Sequence, residues 1–253
     1  VADALSSRER SIIFILLGVT LVLRIIYALR YTIDSDEPQH LHVIWGWANG
    51  LIQYHDVFDN HTPLFHMLFT PVFALVGEHQ NILFFMRLTM IPLYAAALWT
   101  TYSIGRTLFS QRAGAWAAVF TGLFPSFFLL SVEFRTDDLW TVFWLLSVAV
   151  LISGPVTLKR SFAAGILLGA AAGVSLKTTL LAATLASSAI ATQAIRITAT
   201  PRPGKARAAL PRYTLCATAM VLGAAVIPAA LTLFFLYKGA FGAFLYGTIQ
   251  HNI

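Results

Sequence analysis

Pro63-Leu64-Phe65-His66-Met67-Leu68-Phe69-Thr70-Pro71-Val72-Phe73-Ala74-Leu75-Val76-Gly77 is the stretch whose placement decides how the chain is threaded. It is apolar, 15 residues long and interrupted by Pro71. At the helical rise it reaches about 22 Å, short of a hydrocarbon core of about 30 Å. Loop charges choose between crossing and not crossing. If it does not cross, Arg8, Arg10, Arg106, Arg112, Lys159, Arg160, Arg196, Arg202, Lys205, Arg207 and Arg212 share one side of the membrane. Asp34, Asp36, Glu37, Asp56, Asp59, Glu78, Glu133, Asp137 and Asp138 then share the other. If it crossed, the basic loop from Arg196 to Arg212 would move outside, against the positive-inside rule. The segment therefore reads as a helix lying in or dipping into the outer interface. Seven spans follow, near 12–31, 82–105, 113–132, 138–153, 161–176, 178–195 and 213–236, with a cytoplasmic N-terminus.

Composition agrees with an all-α polytopic membrane protein. Of the 253 residues 58% are hydrophobic and 11% charged, against roughly 25% charged in a soluble domain. A soluble globule and a disordered tail are excluded. The lone cysteine, Cys216, sits in an apolar stretch and excludes a disulfide scaffold. The first span ends Ile25-Ile26-Tyr27-Ala28-Leu29-Arg30 without a small-x-small cleavage site, so it reads as an anchor rather than a signal peptide. The basic loop and the net charge of +6 are topology determinants, not a nucleic-acid patch.

Acid-base residues concentrate in the outer loop 32–81. Six of the 11 acids and six of the seven histidines (His40, His42, His55, His61, His66 and His79) fall there, and no acid follows Asp138. Pro38 after Asp36 and Glu37 starts a helix near 37–50 with carboxylates at its positive end. Leu41, Ile44, Trp45 and Ala48 recur at helical spacing, predicting an amphipathic helix on the membrane surface. A second interfacial helix is expected near 63–77. Asp36 and His40 share a helix face, which fits a capping Asp36 with a solvated His40 as well as it fits a functional pair.

Phe58-Asp59-Asn60-His61-Thr62-Pro63-Leu64 comes next. Together with Asp36-Glu37 after the first span, this pattern resembles the first lumenal loop of the protein O-mannosyltransferases and their bacterial relatives. Those are GT-C fold glycosyltransferases (glycosyltransferase families 39 and 83), a superfamily that includes the lipid A aminoarabinose transferases. Arg87 in Phe85-Met86-Arg87-Leu88, the run Arg135-Thr136-Asp137-Asp138-Leu139, and Lys177 in Ser175-Leu176-Lys177-Thr178 resemble further motifs of that superfamily. The chain departs from both subfamilies: mannosyltransferases carry a second proline where Thr62 stands, and aminoarabinose transferases carry Glu-Lys at Asn60-His61. Members also have more spans and often a soluble domain, so 1–253 reads as a single transmembrane domain from the N-terminal part of a longer module.

The resemblance implies inverting transfer of a sugar from a polyprenyl-phosphate donor to a lipid, glycan or protein acceptor. It also implies a bacterial inner (plasma) membrane location with the site facing outward. Asp36 would be the general base, with Glu37, Asp59 and His61 beside it and His61 donating a hydrogen bond. Lys177, Arg87 and Arg135 would hold the departing phosphate. Asp137, Asp138 and His40 would position sugar and acceptor, with only one of the two aspartates facing the cavity. In the bland alternative, Arg87 and Arg135 pair with Glu78, Asp137 and Asp138. Arg24, inside the first span, has no partner legible in sequence.

No cofactor is expected, and partners other than donor and acceptor are membrane lipids rather than nucleic acid. A divalent cation is a secondary expectation: acids and histidines abound, but no His-Glu-x-x-His occurs and His40 and His42 are two apart. A transporter or flippase would instead place ionisable groups near the midplane of repeated halves, and a noncatalytic GT-C-like scaffold is the third reading.

Overall fold

The computed structural model describes residues 4–199 and 210–252. Arg202, Lys205 and Arg207 of the basic loop lie outside the described residues. The helices are α1 (Ser7–Arg30), α2 (Asp36–Ala48), α3 (Leu64–Val76), α4 (Ile82–Leu88), α5 (Met90–Leu108) and α6 (Gln111–Leu123). They continue as α7 (Pro125–Leu130), α8 (Thr136–Ile152), α9 (Leu158–Val174), α10 (Thr178–Ala199), α11 (Leu210–Tyr237) and α12 (Phe241–Thr248), with a final 3-10 turn, Gln250–Asn252. Among the described residues the only β-pairing is a bridge between Gln53 and Val57. The protein is an all-α polytopic membrane protein.

Among the described residues four stretches are long and apolar enough to cross a bilayer by themselves: Ser7–Arg30, Ile82–Leu108, Thr178–Ile195 and Pro211–Tyr237. The expected spans at 138–153 and 161–176 appear as α8 and α9, each of 17 residues, about 26 Å at the helical rise. The expected span at 113–132 is two helices, broken between Phe124 and Pro125 because proline has no N–H to continue the ladder. These shorter helices pack in series, α6 on α5, α5 on α8, α8 on α9 and α9 on α11.

The α9–α11 contact is a seam of small residues. Gly165, Gly169 and Gly173 recur every fourth residue on α9. A Cβ at Gly165 would run into the Met220 carbonyl, and one at Gly169 into the Ala224 carbonyl. From the other side, a Cβ on Gly223 would strike the Phe162 carbonyl. At Gly173 it would meet Ile227 at 3.1 Å. The two backbones touch directly, which is how helices associate where lipid removes the hydrophobic drive. A second seam joins α5 to α6, where a Cβ on Gly105 would lie 2.7 Å from the Gly114 Cα.

Two helices form in the outer loop where expected, α2 (Asp36–Ala48) and α3 (Leu64–Val76). In α2, Ile44 is fully buried in a cluster with Phe65, Phe73, Met86, Met90, Phe134, Leu139 and Val174, and Leu41 and Trp45 pack against that cluster. The apolar face therefore closes the protein core, with α3 beneath it. Amphipathicity identifies such an apolar face without saying what covers it.

Candidate active site

The first turn of α2 presents adjacent carboxylates to different surroundings. Glu37 is fully buried and grips Arg87 of α4 in a fork, Nε to Oε1 at 2.7 Å and Nη2 to Oε2 at 2.5 Å. It also accepts the backbone N–H groups of Phe134 at 2.8 Å and Asp34 at 3.1 Å. Arg87 spends its remaining N–H groups on the carbonyls of Ala28, Tyr31 and Thr32. A guanidinium has five donors, and all are used. Arg87 is thus removed from the cations free to meet a phosphate, and Glu37 from the carboxylates free to take a proton. Together they tie α4 to α2 and to the end of α1. Charge pairing was foreseen for Arg87, but with Glu78, Asp137 or Asp138 rather than Glu37; Glu78 instead accepts the Trp45 indole N–H at 2.7 Å.

Asp36, one residue earlier, is half-buried and faces the loop between α7 and α8. Its Oδ2 lies 2.7 Å from Arg135 Nη2. Arg135 also reaches Glu133 at 3.1 Å, Asp137 at 3.7 Å and Asp34 at 3.8 Å. Asp137 in turn receives Lys177 Nζ at 2.9 Å. The structure thus brings Asp36, Arg135, Asp137 and Lys177 into one row of alternating charge drawn from three parts of the chain. Lys177 is 63% exposed at the turn between α9 and α10, and that turn is pinned by Trp140 of α8, whose indole donates to Thr178 Oγ1 at 2.9 Å.

Asp138 does not join the row. One residue further along α8 it is turned into the bundle, 3.7 Å from Arg24. Arg24 donates to Ser131 Oγ at 2.8 Å and to the Ser131 carbonyl, and lies 3.9 Å above the Tyr94 ring. Both residues are buried, so Asp138 locks α1 to α8 and is not placed to touch sugar or acceptor. Successive residues on a helix point about 100° apart, so only one of the two aspartates can share the row.

The third group lies in the loop between α2 and α3. Asp59 is fully buried and accepts Gln39 Nε2 at 2.8 Å, Gln53 Nε2 at 2.8 Å and His61 Nδ1 at 3.0 Å. His66 Nδ1 stands 3.6 Å from Asp59 Oδ2, beyond hydrogen-bond reach, while its Nε2 meets His40 Nδ1 at 3.0 Å. Burial would push the Asp59 carboxyl up, but the bond from His61 and the neighbouring imidazoles outweigh it and hold the group below its ordinary value. Burial, followed by the proximity of His66, drives His40 down to about 2. Burial likewise brings His66 to about 4, against the pull of Asp59.

His40 is therefore a neutral, enclosed ring, not the solvated residue that spacing allowed. His66, Gln39 and Gln53 were not foreseen. His66 did leave a signal, as a polar residue in the apolar run Leu64–Val76. A groove of about 470 Å³ on the far side of α2 is lined by Leu41, His42, Trp45, Phe73, Glu78, His79 and Ile82, and none of the expected site residues reaches it.

A family model described as dolichyl-phosphate-mannose-protein mannosyltransferase matches residues 60–228. No curated protein and no solved structure matches the chain.

Proposed function

Starting from a chain that belongs to the dolichyl-phosphate-mannose-protein mannosyltransferase family, and so is a membrane glycosyltransferase of GT-C type, we propose that it moves a sugar from a polyprenyl-phosphate donor to a hydroxyl of a lipid, glycan or protein acceptor. Transfer occurs at the outer face with inversion at the anomeric carbon. The observation that carries this reading is the charged row Asp36, Arg135, Asp137 and Lys177, which offers two carboxylates and two cations on one accessible end of the bundle. The positive-inside argument supports the outward placement of that end.

Each part of the row has a role. The acceptor hydroxyl hydrogen-bonds to Asp36, which orients it toward the anomeric carbon and takes its proton as general base. As the new oxygen–carbon bond forms, the bond from carbon to the phosphate oxygen breaks and the electron pair leaves with polyprenyl phosphate. Lys177 exchanges Asp137 for that phosphate. Arg135 remains bound to Asp36 and adds positive charge beside the leaving group. Cations fixed where charge accumulates stabilise the transition state more than the ground state. Asp137, released by Lys177, accepts a hydroxyl of the donor sugar. Glu37–Arg87 and Arg24–Asp138 hold the helices that carry the row.

The test is release of polyprenyl phosphate by purified protein in lipid vesicles supplied with mannosyl, glucosyl or aminoarabinosyl polyprenyl phosphate and the host membrane extract as acceptor source. Wild type should release it from at least one donor, and Asp36→Asn should not. No release above a heat-inactivated control from any donor would end this reading.

A further inference from the structure

We propose that the end of the bundle opposite Lys177 holds an anionic phospholipid, with its phosphate between Lys159 and Arg212 and its acyl chains along Leu158 and Leu215. The inference rests on the orientation proposed above, which makes that end cytoplasmic, and not on the transfer chemistry.

The site is a groove of about 730 Å³ between the first turns of α9 and α11, lined by Leu158, Lys159, Pro211, Arg212, Leu215 and Cys216. Its volume falls within the roughly 300–1,000 Å³ of small-molecule sites. The walls are apolar and open, with Leu158 52% and Leu215 60% exposed. The rim is cationic and lacks counter-charge. Among the described residues the Lys159 ammonium has no hydrogen-bond or ion-pair partner, and the Arg212 guanidinium gives one N–H to the Val156 carbonyl at 3.1 Å. No carboxylate follows Asp138 in the chain. On the cytoplasmic side only Asp3 and Glu9 remain, and Glu9 is engaged by Arg112 at 2.7 Å.

A groove with apolar walls and unneutralised cations at its mouth is complementary to an amphiphilic anion. Charge argues against the chain's own segment 200–209 as the occupant, since it carries Arg202, Lys205 and Arg207 and no acid. Depth points to a lipid rather than a soluble anion. Lys159 and Arg212 stand just before the apolar stretches 161–176 and 213–236, the level at which headgroup phosphates meet hydrocarbon and long cationic side chains reach for them. The cytoplasmic leaflet is the anionic one, and basic pockets between spans on that side hold lipid phosphates.

The position gives such a lipid a structural effect. α9 and α11 run parallel, with Gly165 against Met220, Gly169 against Ala224 and Gly173 against Ile227. The Phe162 carbonyl, three residues after Lys159, already lies against Gly223. A phosphate shared by Lys159 and Arg212 therefore ties the two helices together where the glycine seam begins.

The experiment places the full chain in vesicles of phosphatidylcholine with a minor share of phosphatidylglycerol, and counts the lipids retained on the protein by native mass spectrometry. Wild type should retain phosphatidylglycerol in preference to phosphatidylcholine. Each cation removed should weaken that retention about fivefold, so Lys159→Gln alone and Lys159→Gln with Arg212→Gln should give a graded loss. Arg8→Gln with Arg10→Gln removes as much charge from exposed positions on the same side and should change nothing. Inorganic phosphate should not displace the lipid. Because Lys159 holds no partner within the described protein, its variant should fold as wild type, and an unchanged unfolding midpoint in pure phosphatidylcholine checks this. Equal retention of the two lipids by wild type, undiminished retention by folded Lys159→Gln, an equal loss in the Arg8 and Arg10 variant, or displacement by inorganic phosphate would each overturn the proposal. Release of polyprenyl phosphate is read separately, so failure of either reading is distinguishable from failure of the other.

Discussion

Replacing Glu37 by Gln keeps the side-chain shape while deleting the counter-charge of a buried arginine. In the wild type Glu37 accepts four hydrogen bonds, two from Arg87 and one each from the Phe134 and Asp34 N–H groups. Glutamine can serve at most part of this set, because its NH2 group would face a donor. Breaking a buried ion pair from one side costs about 3–5 kcal/mol. Arg87 retains three carbonyl partners, Ala28, Tyr31 and Thr32, so the cost should fall at the low end, about 3 kcal/mol. At 1.4 kcal/mol per decade this is roughly a hundredfold shift toward unfolding. The assay is unfolding in mixed micelles of increasing SDS fraction, followed by tryptophan fluorescence, since Trp45 and Trp47 sit on the same helix as Glu37. The paired replacement Glu37→Leu with Arg87→Met removes both charges and should recover most of the loss, because no charge is then stranded. A single-variant loss under about 1 kcal/mol, or a double variant as unstable as the sum of its singles, would refute the claim that the pair acts as one buried unit.

Lys177→Gln should leave stability nearly unchanged, because the side chain is mostly exposed, but should raise the donor KM about tenfold, the low end for a charge-assisted hydrogen bond; an unchanged KM would remove Lys177 from the phosphate site. Acid should destabilise the fold through His40 and His66, which burial holds at about 2 and about 4 while their unfolded counterparts titrate near 6.5. Below pH ~6.5 the unfolded chain binds two protons that the folded chain refuses, so stability should fall by up to about 2.7 kcal/mol per pH unit until pH ~4. Unfolding measured at pH 7, 5.5 and 4.5 checks this, His66→Gln should halve the slope, and a flat profile between pH 7 and 5 would contradict it.

Local punctuation made much of the architecture legible. Pro38, Gly50, Pro63 and Gly77 bracket the two outer-loop helices, and expectations of 37–50 and 63–77 stand within two residues of Asp36–Ala48 and Leu64–Val76. The proline at position 125 was as plain in sequence, yet hydropathy carried the reading across it. Side-chain partners were less accessible. Arg87 and Glu37 lie 50 residues apart, and nothing in either neighbourhood names the other. Only the position of Arg24 on α1 decides that Asp138, and not Asp137, turns inward. His40 illustrates the same limit, since spacing gave its helix face but not the His61 ring set edge-on to it or the tilted His66 ring beside it. The glycines at 165, 169 and 173 were readable as a four-residue repeat; their partner on α11 was not.

That repeat also works as a ruler. With no side chains between the backbones, α9 cannot slide along α11 by small amounts; the next register that places glycine against carbonyl is four residues away, about 6 Å. Lys177 follows three residues after the end of α9 at Val174, so the same interlock sets how deep its ammonium sits along the bilayer normal. The reach of that lysine toward a phosphate is therefore decided by a contact on α9 that contains no charge at all.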